Sequence, residues 1–247
     1  MNKHLLMTAL PVLLAGLAVP PALAAGDSDT GQTLDQRAPA ASGAGADTGD
    51  LNEARMDAQE LVDDAAAVAQ QMKQDEDVGQ LLQQAKGVVI MPKFGKAAVI
   101  VGGEGGEGLL VAREGTEWSE PVFYNLGGVS IGAQAGVEAG AVGMLLMSQD
   151  AVDAFKQDNN FELNANAELS IVNYSAKAQG NIADYDVVMW SDTEGLLAGL
   201  SVGGSDVTVD KDQNQAYYGK PATPTDILNG TVTNPNAKSL QNSLPKG

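Results

Sequence analysis

The chain has 247 residues, and its 32 Asp and Glu against 14 Lys and Arg give a formal net charge of −18. So acidic a surface repels polyanions at long range, which excludes general nucleic-acid binding. There is no cysteine, and the single histidine is His4 near the N-terminus; disulfides, thiolate metal sites, serine–histidine triads and cysteine–histidine dyads are excluded with them.

Met1 to Ala24 reads as a secretory signal peptide, with Lys3, an apolar run from Leu5 to Val19 and an Ala22-Leu23-Ala24 cleavage site. The run is short for a spanning helix, which needs about 20 apolar residues, and no later segment matches it. With no cysteine to carry a lipid anchor, the expected location is periplasmic or secreted, with no transmembrane segment after cleavage. Removing the segment takes away one Lys and no acid, leaving a net charge of −19.

Residues 25–50 are rich in Ala, Gly, Asp, Ser and Thr and have almost no large apolar side chain, the composition of a disordered tether. From Leu51 to Gln74, apolar residues at Leu51, Ala54, Ala58, Leu61, Ala65, Val68 and Met72 recur at steps of three and four. That spacing predicts an amphipathic helix with a narrow stripe, suited to docking on its own domain or, less well, to an inter-chain coiled coil. Its other faces are acidic, and residues 25–84 together carry a net charge of −10.

Beyond Lys86 the period changes to two. Val129 to Ala139, Phe161 to Ile171 and Leu196 to Val202 alternate apolar and polar or glycine positions, and shorter apolar runs cover Gly87–Met91, Ala97–Val101, Leu109–Ala112, Met144–Met147 and Val187–Trp190. This pattern predicts a mainly β fold: an antiparallel barrel or sandwich of about 8–10 strands with the N-terminal amphipathic helix and one or two short helices, one from Ser148 to Lys156. The organisation expected is a signal peptide at 1–24, a tether at 25–50, a domain at 51–230 (helix 51–74, β-rich core 85–230) and a flexible tail at 231–247.

Several motifs dissolve on inspection. Gly103 to Gly108 matches a dinucleotide-binding glycine pattern but leads into a strand, so a glycine hairpin is the better reading. Gly128 to Gly132 and Gly199 to Gly203 match a nucleophile-elbow pattern without a histidine to activate either serine. Asp210, Asp212 and Asn214 begin like a calcium loop but lack its glycine and terminal glutamate, and read as a polar turn. No catalytic residue, metal or cofactor is expected. One cationic stretch remains: Lys86, Lys93 and Lys96 with no acid before Glu104, followed by Arg113. These are either solvated strand ends or an anion and phospholipid head-group site.

The ordered blocks Ala85-Lys86-Gly87, Val111-Ala112-Arg113, Trp118-Ser119-Glu120-Pro121-Val122-Phe123 and Tyr217-Tyr218-Gly219 are similar to the SYLF lipid-binding domain, over about Leu51 to Gly230. The resemblance implies a non-enzymatic module. Eukaryotic members bind phosphoinositides and other anionic phospholipids, partly through an amphipathic helix before the domain, and some bind actin filaments; bacterial members are typically exported. Carried over by block, Lys86 and Arg113 become head-group candidates together with Lys93 and Lys96, while Trp118 and Phe123 are either apolar lipid contacts or core. The preceding helix departs from the eukaryotic pattern in being acidic. The expected function is an exported phospholipid- or amphiphile-binding protein of the bacterial envelope, with anionic phospholipid as partner. The alternative is an envelope structural or adaptor protein acting through protein contacts.

Overall fold

The computed structural model describes residues 48–98, 101–131, 136–157, 161–162, 169–174, 184–193, 195–198 and 205–246, and all structural statements concern these. The proposed signal peptide and nearly all of the tether fall outside them.

The N-terminal helix forms as its spacing requires. α1 runs Thr48–Gln74 and buries Ala58, Leu61, Val62, Ala65, Ala66, Val68, Ala69 and Met72. α2 (Glu76–Gln84) follows after Asp75, whose carboxylate accepts from the Asp77 and Val78 amides as an N-cap. Both helices lie on a nine-stranded sheet made of β1 (Gly87–Ala98), β2 (Val101–Glu114), β3 (Glu117–Trp118), β4 (Val122–Ile131), β5 (Gly136–Leu146), β6 (Phe161–Glu162), β7 (Ile171–Asn173), β8 (Val187–Ser191) and β9 (Ser205–Val209). Its order is β6-β9-β4-β2-β1-β5-β8-β7, with β3 pairing β2.

The strand-dominated, largely antiparallel architecture is as expected from the alternation, but the sheet is not closed into a barrel. Its edge pair β7–β8 is parallel. Each central strand alternates between two buried faces. Val88, Ile90, Leu109, Val111, Phe123 and Leu145 face α1, while Val89, Met91, Leu110, Val122, Tyr124 and Met144 face α3 (Gln149–Lys156) and α5 (Pro224–Leu228). Two buried faces explain the near-continuous apolar runs of β1 and β5.

The sequence reading also departs from the structure in several elements, and part of it falls on residues that are not described. The run from Val129 to Ala139 is not one strand; its ends belong to β4 and β5, joined through residues 132–135. The glycines from 103 to 108 lie inside β2 rather than in a turn. Leu196–Ala198 is a 3-10 helix, because Gly195 adopts φ +88° and breaks the extended backbone. Most of the Phe161–Ile171 run and residues 199–204 fall outside the described residues. There are also more helices than one or two short ones: besides α3, capped by Ser148 as expected, there are α4 (Lys211–Tyr218), α5 and α6 (Lys238–Ser243). The last of these overturns the flexible tail. Ala237, Leu240 and Leu244 are buried, Gln70 of α1 donates to Ser243 Oγ at 3.2 Å, and Ser239 Oγ donates to Asp63 at 3.1 Å. Three apolar residues in a short, polar C-terminal stretch were enough to dock it.

Candidate functional site

The four candidate cations hang on one strand and its neighbour, and the strand separates them. Lys86 precedes β1 and Lys96 lies near its far end, about 30 Å away along an extended chain. Lys86 is exposed, and its backbone is fixed by Lys86 N to Leu146 O and Arg113 N to Lys86 O, both 2.7 Å. The Arg113 guanidinium turns inward. It donates to the carbonyls of Ala85 (3.2 Å), Leu82 (3.4 Å), Gln83 (3.5 Å) and Pro245 (3.5 Å) and stacks 4.2 Å from the Trp118 ring. Three of those carbonyls are the orphan acceptors ending α2 and following it, so Arg113 closes a helix C-terminus. Burial lowers its pKa, though a guanidinium stays charged.

The lysine that could replace it has three donors on one compact head and cannot reproduce the fork. Arg113→Lys is therefore expected to lower stability by about 1–2 kcal/mol, seen as an earlier urea midpoint with unchanged slope; an unchanged midpoint would contradict the capping role.

Lys93 bridges to α1, with Nζ 2.9 Å from Asp64 and 3.1 Å from Glu60. Hydrogen bonds to these two carboxylates, Asp64 foremost, raise its pKa. Lys96 lies on the opposite face, because a bulge between Ile90 and Lys93 reverses the alternation; Phe94 and Lys96 thus face away from α1. In register Lys96 stands across from Glu104 on β2 and Glu138 on β5. Instead of one anion site, the structure shows a helix cap, an exposed strand start, an ion pair and a cross-strand charge row.

The two aromatic candidates are core. Trp118 is 5% exposed and donates Nε1–H to Pro245 O at 2.8 Å. Phe123 is fully buried and meets Tyr217 edge-on at 5.1 Å. The Tyr-Tyr-Gly block is structural as well. Tyr218 Oη donates to Pro121 O at 2.7 Å, and Gly219 ends α4 at φ +70°. Burial, then the Glu120 carboxylate, pushes both phenols well above their ordinary range. Among the described residues no cluster of three or more acidic or imidazole groups is suited to a metal.

A different feature emerges past the bulge. β1, β2, β4 and β5 extend well beyond β8 and β9, which pair only with Val142–Leu146 and Tyr124–Gly128. On the side that faces α1, this distal half carries Gly95 and Ala97 of β1, Gly103 and Gly105 of β2, Val129 of β4 and Val137 of β5. Val129 is 59% and Val137 83% exposed, among only four large exposed hydrophobics in the described residues; the other two, Leu51 and Met56, are on the N-terminal part of α1. A Cβ placed on Gly95 or Gly103 meets no atom within 4 Å, so this face is uncovered among the described residues.

Where α1 leaves the sheet, Asp57, Glu60, Leu61, Asp64, Lys93 and Glu107 line a cavity of ≈ 420 Å³. A second concavity of ≈ 740 Å³ lies over β4 and β9, with Val129 and Asp206 in its wall. Charge-based reading of the sequence misses this surface, because its residues are glycine, alanine and valine. The available signal was the unusual density of small residues in strands that otherwise alternate.

A family model described as "Ysc84: Las17-binding protein actin regulator" matches residues 127–246. The chain is 32% identical over 164 residues to LAS seventeen-binding protein 3 of Saccharomyces cerevisiae, covering 64% of this chain and 35% of that protein. It is 33% identical over 164 residues to protein YSC84 of the same yeast, again 64% and 35% of the two chains. The human SH3 domain-containing YSC84-like protein 1 is 30% identical over 159 residues, 63% of this chain and 46% of that one. The match thus spans between about a third and a half of these relatives' length. No solved structure gives a significant match.

Proposed function

Since this chain belongs to the SYLF (Ysc84) domain family, we propose that it is a non-enzymatic phospholipid- or amphiphile-binding protein of the bacterial cell envelope, reached through the N-terminal signal segment. The observation that carries this reading is the uncovered apolar half-face bearing Val129 and Val137. A soluble surface concentrates exposed apolar groups in strands of small residues at a cost in solubility, and such patches mark contact sites. The cationic stretch contributes little to it: Arg113 is spent on α2 and Lys93 on α1. Binding therefore draws on apolar contact more than on head-group charge.

Flotation of the chain with phospholipid vesicles at low and at roughly 0.5 M salt tests this, since the Debye length at the higher value is well under 10 Å. The expected result is flotation that salt leaves in place. Flotation lost in salt would reinstate charge capture by Lys86 and Lys96, and a chain that neither floats with any vesicle nor carries lipid away from it would remove the lipid reading.

The family model's description and one relative's name favour a second reading, an adaptor acting through protein contacts, since both print binding to a protein partner. The buried stripe of α1 faces its own sheet, so self-assembly through that helix is not expected. Light scattering on the eluting protein should give a monomer; a concentration-dependent dimer would support the adaptor reading.

A further inference from the structure

We infer that the uncovered half-face seats one zwitterionic phospholipid molecule, with its acyl chains along the Gly, Ala and Val surface and its head group in the wedge where α1 leaves the sheet. The inference rests on the amphiphile-binding reading and adds the place, the stoichiometry and the head-group class.

Three observations bear on it. The first is that only one side of the distal hairpins is apolar. At the same strand positions the opposite side carries Lys96, Glu104 and Glu138 in one cross-strand row. Glu104 is already buried, but immersing the hairpins in a bilayer would strip water from the half-buried Lys96 and Glu138, a heavy cost in hydrocarbon. A lipid laid against the apolar side alone avoids it.

Shape is the second. Four strands span about 14 Å between the outer two, enough for two acyl chains side by side. Three of the glycines open the surface: a Cβ at Gly95 or Gly103 would point into open space, and one at Gly127 meets only Glu104 O at 3.9 Å, whereas one at Gly105 would crowd Leu126 O at 2.8 Å.

Charge supplies the third. The wedge at the proximal end of the face holds the carboxylates of Asp57, Glu60, Asp64 and Glu107 around the one ammonium of Lys93, and Asp206 stands opposite Gly127 at the other flank. A head group bearing both an ammonium and a phosphate complements this set: Asp57 and Glu107, which Lys93 does not pair, for the cation, and for the phosphate the exposed Lys93 ammonium, shared with Glu60 and Asp64. A head group carrying only negative charge meets a net negative wall on a strongly acidic chain.

The test uses the full chain and short-chain lipids below their micelle concentration, so that single molecules are presented. Dihexanoyl-phosphatidylcholine, dihexanoyl-phosphatidylethanolamine and dihexanoyl-phosphatidylglycerol are titrated in by calorimetry. One lipid per chain is expected for the first two, with the glycerol lipid at least about tenfold weaker. The double variant Val129→Asp, Val137→Asp should bind about tenfold or more weakly, and Lys86→Glu should bind like the parent. Should the double variant not fold, Gly103→Glu places a charge in the same open space and serves instead. Preference for the glycerol lipid, or full binding by a folded face variant, overturns the inference. Vesicle flotation without single-molecule binding overturns it and spares the broader reading; failure of both overturns the two together.

Discussion

Replacing Asn214 by Leu is expected to cost about 2–4 kcal/mol, read as a large drop in the urea midpoint, even though the two side chains are similar in volume. Asn214 is fully buried. Its Oδ1 accepts from Phe123 N at 3.1 Å, and its Nδ2 donates to Phe123 O at 3.0 Å and to Asp210 O at 2.7 Å. β9 ends at Val209, and its pairing with β4 begins at Tyr124. Phe123 is therefore the first residue of β4 with no strand beside it on that side. Asp210 N still donates to Phe123 O at 3.0 Å, and the Asn214 side-chain amide, projecting from α4, supplies the acceptor that Phe123 N would otherwise lack and so completes one more step of the ladder. Leucine would leave the buried Phe123 N–H without an acceptor, costing about 1–3 kcal/mol, and would take one of two donors from the carbonyls of Phe123 and Asp210, which keep Asp210 N and Asn214 N at 3.0 Å. Asn214→Asp should fail too at neutral pH, because it keeps the acceptor but sets a carboxylate against two carbonyl oxygens. A loss below about 1 kcal/mol for the leucine variant would show that water or a shift of α4 replaces the amide.

Asn214 also shows where reading the sequence stops. In the sequence it is part of Asp210-x-Asp212-x-Asn214, which reads as a polar turn. In fact Asp210 caps α4, accepting from Gln213 N at 2.8 Å, and the one polar residue pointing inward is the one that joins helix to sheet. Local pattern located the elements whose signal is periodic: α1 from its three-and-four spacing, α3 with its Ser148 cap, and the apolar runs that became β1, β2, β5 and β8. It could not show that the one alternating run belongs to two strands, β4 and β5, since its period of two carries no mark where one ends and the other begins. Nor could it count helices as short as α5, whose capping box of Thr223 and Asp226 spans a single turn.

The site was less legible for a similar reason. Lysines and aromatics carry visible chemistry, yet Arg113, Trp118 and Phe123 turned out to hold α2, the C-terminal segment and the core. The uncovered face is built of residues whose meaning depends on what lies above them. Gly95 and Gly87 are alike in sequence, but a Cβ on Gly87 would touch Val152 at 3.1 Å and one on Gly95 touches nothing within 4 Å.

That contrast among glycines gives the second large effect. Gly106→Ala is expected to destabilise by about 2–4 kcal/mol, and Gly103→Ala, three residues away on the same strand, by less than about 0.5 kcal/mol. A Cβ on Gly106 would lie 2.6 Å from Lys93 O and 3.1 Å from Phe94 Cα, both backbone atoms at the β1 bulge, where neither strand can yield without breaking register. A Cβ on Gly103 enters open space, and neither glycine has positive φ, so the added methyl also trims the freedom of the unfolded chain. Thermal melts of the two variants against the parent decide the matter. Equal losses would mean that glycine is needed in β2 for backbone twist rather than for the bulge. If the losses differ as expected, the bulge is the joint that sends Lys93 to the α1 side and Phe94 and Lys96 to the other. Gly106→Ala should then also weaken amphiphile binding in the folded fraction, because moving that joint re-aims the half-face relative to α1.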